Sequence, residues 1–339
     1  MKAIRIEAFG DSGALEPREV ERPEPGSGEV LLEVRAAGIN FADVMQRRGE
    51  YPGGPQPPFT PGMEAAGVVE EAGDGVDLEA GDRVVGMIGQ GGYAEYAVAD
   101  AGALFPVPEG MGFEEAAGFP VQYLTAHNCL FEWGGLEREA QGASENASGQ
   151  SPRADGERVL IHAAAGGVGT AAVQLASRAG AEVFGTASTP EKLDLAAELG
   201  CDHPINYTET EFAEEVDEIT DEGLDLVLDG VGGESFERSV ETLAPFGRVV
   251  TYGVASGEPG VVETPELFFG NHSVIGYHLG RASQQAPERV FSAVEDLTEG
   301  FSSGELGVVV GETFDLEEAA DAHAFIENRE SSGKVVLIP

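Results

Sequence analysis

Lysine is almost missing from this chain. Of 339 residues only Lys2, Lys192 and Lys334 are lysines, and 19 basic residues face 61 acidic ones for a formal net charge of −42. Such a balance repels polyphosphates and anionic lipid, which argues against nucleic acid and membrane surfaces as partners. The acids are scattered through all parts of the chain rather than gathered in a tail. Dispersed carboxylates with few lysines suit a cytoplasm rich in KCl, where salt screens the repulsion that would otherwise loosen the compact state. Cysteine is scarce as well: Cys129 and Cys201 have no partner at metal-ligand spacing, which leaves no disulfide framework or cysteine-rich zinc site and implies two structural thiols. No apolar run approaches a bilayer span, and the opening MKAIRIEAFG alternates like a strand without the apolar block of a secretory leader. The expectation is a soluble, cytoplasmic protein.

Glycine is plentiful, with 48 residues, and it punctuates two different patterns. Residues 1–125 read as short strands broken by Gly and Pro, among them EVLLEVRAAGI and AAGVVEEAG, which suggests a β-rich barrel or partly open sheet. From Arg158 the pattern becomes strand, helix, strand, helix: RVLIHAA, VGTAAVQLASRAG, AEVFGTA, PEKLDLAAELG, and later LDLVLDGV and RVVTYGV. Fully apolar strand cores imply a parallel sheet covered by helices on both faces. Residues 136–156, rich in Gly, Ala, Ser and acid, read as a flexible acidic surface loop; the Asn146 acceptor pattern in it has no secretory context. In ETEFAEEVDEITDE, Phe212, Val216 and Ile219 fall on one helix stripe, which is expected to be buried.

The run LIHAAAGGVGTAAVQLAS follows a strand and opens a helix. Gly166, Gly167 and Gly169 permit a tight turn and close backbone approach to a pyrophosphate, whose charge the helix start would meet. A purely structural strand-to-helix turn would also use these glycines. The spacing is Ala163-x-x-Gly166-x-x-Gly169, which departs from the common dinucleotide fingerprint.

Gly156, Glu157, Leu160, Ala164 to Gly167, Gly169, Gln174 and Ser177 together resemble the signature of the quinone oxidoreductase and ζ-crystallin branch of the medium-chain dehydrogenases/reductases. AGINFADVMQRRGEYP, PGMEAAGVV, GDRVVG with GGYAEY, LTAH, LDGVGG and SSGKVVLIP agree in order. The resemblance implies a Rossmann-type doubly wound parallel sheet, residues 126–269, inserted into a β-rich GroES-like catalytic domain, with 270–339 returning to the first part. The zinc-dependent branch carries a ligand cysteine where this chain has Asn40 and a ligand histidine where it has Met63, and neither replacement can hold a catalytic zinc. The histidines at 127, 162, 203, 272, 278 and 323 show no metal spacing.

The activity implied is hydride transfer without zinc from NADPH, or less readily NADH, to a small electron-poor acceptor. A quinone comes first, and an enone or enoyl thioester is the alternative; a ζ-crystallin-like nucleotide-binding protein with little catalysis is the third. The resemblance assigns Asn40 and Tyr51 to the acceptor end, with Asn40, Thr125, Ala163, Gly166, Gly167, Val168, Gly169, Val231 and Gly253 around the cofactor. Ser188, Lys192, Tyr207 and Arg329 fall on its adenosine phosphate side. Turn closure for Asn40, packing for Tyr51, a helix cap for Thr125 and surface placement for Lys192 and Arg329 are the plainer alternatives. The acid that would hold an NAD ribose falls, in this register, at Ala187, so repulsion of a 2′-phosphate is absent. A homodimer through the edge near VIGYHLG is implied too.

Overall fold

The computed structural model describes residues 1–137 and 156–339; the expected loop 136–156, apart from its two ends, and Asn146 lie outside the described residues. The chain forms two compact units, Met1–Gln122 with Gly307–Pro339, and Tyr123–Leu306.

The first unit begins with strands β1 (Lys2–Arg5), β2 (Glu16–Glu19), β3 (Glu29–Ile39), β4 (Glu64–Ala72), β5 (Arg83–Met87), β6 (Tyr96–Asp100) and β7 (Leu104–Pro106), and helices α1 (Phe41–Arg48) and α2 (Phe113–Ala116). Helix α3 (Pro120–His127) carries the chain across the boundary.

The central unit alternates as its apolar runs require: β8 (Arg158–Ile161), α4 (Gly167–Arg178), β9 (Glu182–Ala187), α5 (Pro190–Glu198), β10 (His203–Asn206), α6 (Phe212–Ile219), β11 (Leu224–Asp229), α7 (Gly233–Glu241) and β12 (Leu243–Thr251). Next come α8 (Thr264–Gly270), β13 (Ser273–Gly276), α9 (Leu279–Gln285), α10 (Pro287–Phe291) and α11 (Ala293–Ser303). Its six strands are all parallel, in the order β10-β9-β8-β11-β12-β13. Strand order reverses between β8 and β11, the place where open α/β sheets leave a crevice at their carboxyl ends. Leu160, Phe184, Phe212, Val227 and Val249 form the core beneath it.

The chain then returns as β14 (Val310–Asp315), α12 (Ala319–Glu327) and β15 (Lys334–Ile338), completing a seven-stranded sheet in the order β14-β15-β3-β4-β5-β7, with β6 on β3. Ile4, Ile6, Val34, Phe59, Tyr93 and Leu337 are among its buried residues.

Two expectations are corrected. The return comes at Gly307, not at residue 270, because β13 hydrogen-bonds to β12 as a further strand of the central sheet and the next three helices stay with it. Phe212 and Val216 are buried as the stripe requires, but Ile219 is 41 % exposed, since α6 ends there and the chain turns extended at Thr220.

Candidate active site

The turn from β8 into α4 is built around His162. The Ser239 hydroxyl donates to the Ser235 carbonyl at 2.6 Å, so toward His162 Nε2, 2.8 Å away, it must accept. His162 is therefore the Nε2–H tautomer, and its bare Nδ1 accepts from the Thr186 hydroxyl at 3.0 Å. Thr186 Oγ1 in turn accepts the Ala163 N–H at 3.3 Å. Every donor in this chain has one acceptor, and the imidazole stays neutral because burial pushes its pKa down to about 4.

Ala163 sits at φ 51°, a left-handed conformation that costs a non-glycine residue about 1 kcal/mol. Its exposed methyl avoids packing conflict, which is why an alanine can stand where the common fingerprint has glycine. Gly169 has no such freedom: a Cβ there would lie 2.1 Å from the Ala163 carbonyl oxygen. Gly166 caps α4, and Gly167 and Val168 form its first turn, so unpaired N–H groups gather there as an anion site needs. Gln174, lower on α4, donates to the Tyr123 hydroxyl at 3.0 Å and fixes the helix α3 on which buried Thr125 sits.

Neighbouring strand ends stand beside this turn. Ala187 is the last residue of β9 and is buried; half-buried Ser188 follows, and Thr189 caps α5 by accepting the Lys192 N–H. Glu191, in the first turn of α5, is exposed, and the helix-start N–H and the Thr189 hydroxyl hold its carboxyl below the usual range. Tyr207 follows β10 and is 42 % exposed. Beyond β11, the buried Asp229 carboxylate accepts the Val231 N–H at 2.9 Å and the Gly232 N–H at 3.1 Å, which shapes the turn holding Val231; burial raises its pKa against these two bonds. Gly253 follows β12, where a Cβ would lie 2.9 Å from the Gly230 carbonyl oxygen. The structure thus brings Ala163, Gly166 to Gly169, Ser188, Tyr207, Val231 and Gly253 to the carboxyl ends of five adjacent strands.

Asn40, Tyr51 and Arg329 belong to the other unit. Tyr51 is half-buried in the bend after α1, and Arg329 is exposed at φ 60° just past α12. Asn40 precedes α1 at the centre of a polar cluster absent from the sequence reading. Its backbone N–H donates to Asp43 at 2.8 Å, its side-chain NH2 to Glu64 Oε1 at 2.9 Å, and its Oδ1 accepts from Lys334 Nζ at 2.8 Å. Lys334 also pairs directly with Glu64, and Glu64 Oε2 accepts the Val121 N–H at 2.8 Å. Burial pushes the Asp43 carboxyl up to about 7, against the opposing pull of the Asn40 N–H and the Lys334 charge. Beyond it, Tyr93, His323, Arg47 and Glu327 continue a buried polar chain, in which burial and the Arg47 charge lower the His323 imidazole to about 3.

Met63 stands beside Glu64 where a ligand histidine would be needed. Among the described residues no group of three or more His, Cys, Asp or Glu side chains is placed to hold a metal ion. Cys129 and Cys201 are buried free thiols, the second pushed up to about 12 by burial.

Residues 26–109 match the alcohol dehydrogenase GroES-like domain, and residues 167–296 match the family described as zinc-binding dehydrogenase. The mouse synaptic vesicle membrane protein VAT-1 homolog is 36 % identical over 359 residues, covering 100 % of this chain and 84 % of that protein. The bovine quinone oxidoreductase-like protein 2 is 36 % identical over 312 residues, covering 91 % and 84 %. The crystal structure of Escherichia coli quinone oxidoreductase complexed with NADPH superposes with a TM-score of 0.89 at 31 % identity, over 100 % of both chains. No helix among the described residues is long and apolar enough to cross a membrane.

Proposed function

The chain belongs to the medium-chain dehydrogenase/reductase superfamily, among its quinone oxidoreductase-like members, and we propose that it is an NADPH-dependent quinone reductase that works without zinc. The observation that carries this reading is the acid-free end of β9 beside a glycine turn at the strand-order reversal. Bound there, NADPH supplies a hydride from its nicotinamide C4. The turn at Gly166 offers the backbone N–H groups of Gly167, Val168 and Gly169 to the pyrophosphate, and Ser188 and Lys192 take the 2′-phosphate, with Tyr207 and Arg329 against the adenosine side. Thr125, Ala163, Val231 and Gly253 line the nicotinamide half, and Asn40 and Tyr51 orient the acceptor. With Asn40 and Met63 in place of zinc ligands, the acceptor must already be electron-poor, which a quinone is.

Purified protein in molar KCl is expected to oxidise NADPH with quinones at a kcat/KM at least tenfold above that for NADH, and above that for 2-alkenals and enoyl thioesters. Fastest turnover of an enoyl thioester would move the assignment to carbon–carbon double-bond reduction, and oxidation with no acceptor would reject it.

A homodimer through the edge of the central sheet belongs to the same reading. β13 is the outermost strand, and on the preceding α8 Phe268 and Phe269 are 62 % and 81 % exposed, an apolar surface a free monomer seldom carries. Light scattering is expected to give twice the 35.3 kDa chain mass, and Val274→Lys on β13 to give a single chain. A wild-type chain that stays monomeric at micromolar concentration in molar KCl would overturn this.

A further inference from the structure

Asn40 differs from the other candidate site residues in being gripped by two buried, oppositely charged side chains, Glu64 and Lys334, which are 0 % and 1 % exposed. An ammonium can only donate and a carboxylate can only accept. Lys334 Nζ therefore holds the amide oxygen of Asn40 at 2.8 Å, and Glu64 Oε1 holds its nitrogen at 2.9 Å. Turning the carboxamide over would set N–H against ammonium and oxygen against carboxylate, so a single orientation survives. Glu64 cannot swing to follow such a turn, because its other oxygen is occupied by the Val121 N–H. The fold makes room for the pair through Gly38, where a Cβ would lie 2.5 Å from Lys334 Cε and 2.7 Å from Glu64 Oε1. Burying an ion pair is a poor way to gain stability compared with apolar packing, and orientation is the property it supplies better. Once both partners are satisfied, the half-buried amide keeps one N–H for a ligand.

We propose that Glu64 and Lys334 are positioning residues whose buried pair locks the Asn40 carboxamide in one orientation and polarises it, so that its remaining N–H is a preorganised donor at the reacting end of the site. The proposal rests on the assignment of Asn40 to the acceptor end.

The test uses full-length protein in molar KCl, labelled with [15N]asparagine; the chain has six asparagines, and Asn40→Ala identifies the signal. In the wild type the two Asn40 side-chain N–H signals should be widely separated and slow to exchange. An Asn40 pair at the position of freely solvated asparagine would overturn the proposal without any variant. In the folded double variant Glu64→Gln/Lys334→Met the pair should move toward the solvated position while the other asparagines stay put. Its kcat should fall at least tenfold with the KM for NADPH within about twofold, and the same double change on top of Asn40→Ala should cost less than twofold more. Equal losses in the two backgrounds, or unmoved Asn40 signals in the double variant, would show a structural pair only. A locked wild-type amide in a protein that reduces no acceptor rejects the proposed activity and leaves the positioning intact.

Discussion

Lowering KCl from molar concentration to about 0.1 M is expected to unfold the protein or leave it with a small fraction of its stability. Two like charges about 8 Å apart repel by about 0.5 kcal/mol in unscreened water, by about half that in 0.1 M salt, and by less than a tenth of it at 1 M. Forty-two uncompensated negative charges, each with two such neighbours and so making as many pairs as charges, then contribute on the order of 10 kcal/mol of repulsion at 0.1 M and about 1–2 kcal/mol at 1 M. The first figure is as large as the whole stability of an ordinary domain, about 5–15 kcal/mol. Local pairing does little to offset it. Arg22 with Glu70 and Arg35 with Glu33 are surface pairs, worth little each. Circular dichroism with urea titration at a series of KCl concentrations measures the effect, and a denaturation midpoint that does not move between 0.1 M and 2 M would remove salt adaptation as the explanation of the charge.

Ala187→Asp is expected to reverse the cofactor preference, lowering the ratio of kcat/KM for NADPH to that for NADH more than about a hundredfold. The new carboxylate would stand at the end of β9, beside Ser188, where the surroundings are protein rather than bulk water. At an effective dielectric constant of about 20, a carboxylate and a phosphate about 5 Å apart repel by about 3 kcal/mol, and the same carboxylate accepts hydrogen bonds from both hydroxyls of an unphosphorylated ribose. Tyr207 N–H donates to the Ala187 carbonyl, so the backbone of the turn is held independently of the side chain introduced. A variant that binds both nucleotides yet keeps the wild-type ratio would refute the placement of the 2′-phosphate. Lys192→Met is the weaker companion, because half-buried Lys192 contributes a point charge that molar KCl screens.

What could be read in the sequence was local. EVLLEVRAAGI is β3 to the residue, and the strand ends that carry the glycine turn and Ala187 follow from apolar runs closed by Gly, Ser, Thr and Pro. The sequence places β13 on the wrong side of a boundary for a physical reason: four residues of an apolar strand look the same whichever sheet they join. The Asn40 cluster was illegible because its members lie 24, 270 and 294 residues apart, and nothing in a glutamate or lysine states where it will be buried. One signal was available. A chain that keeps three lysines has a reason for each, and Lys334, in an otherwise apolar strand KVVLI, is the one the surface does not need.

β15 also decides the order of events during synthesis. It lies in the interior of the first sheet, between β14 and β3, and carries Lys334 to a partner made some three hundred residues earlier. The first unit therefore cannot close its sheet while its own first 122 residues are leaving the ribosome, although the central unit has every strand it needs once Gly276 has emerged. For most of translation the edge of β3 that β15 will cover stays open, and in a polypeptide this heavily charged the mutual repulsion of nascent chains opposes pairing at such an edge.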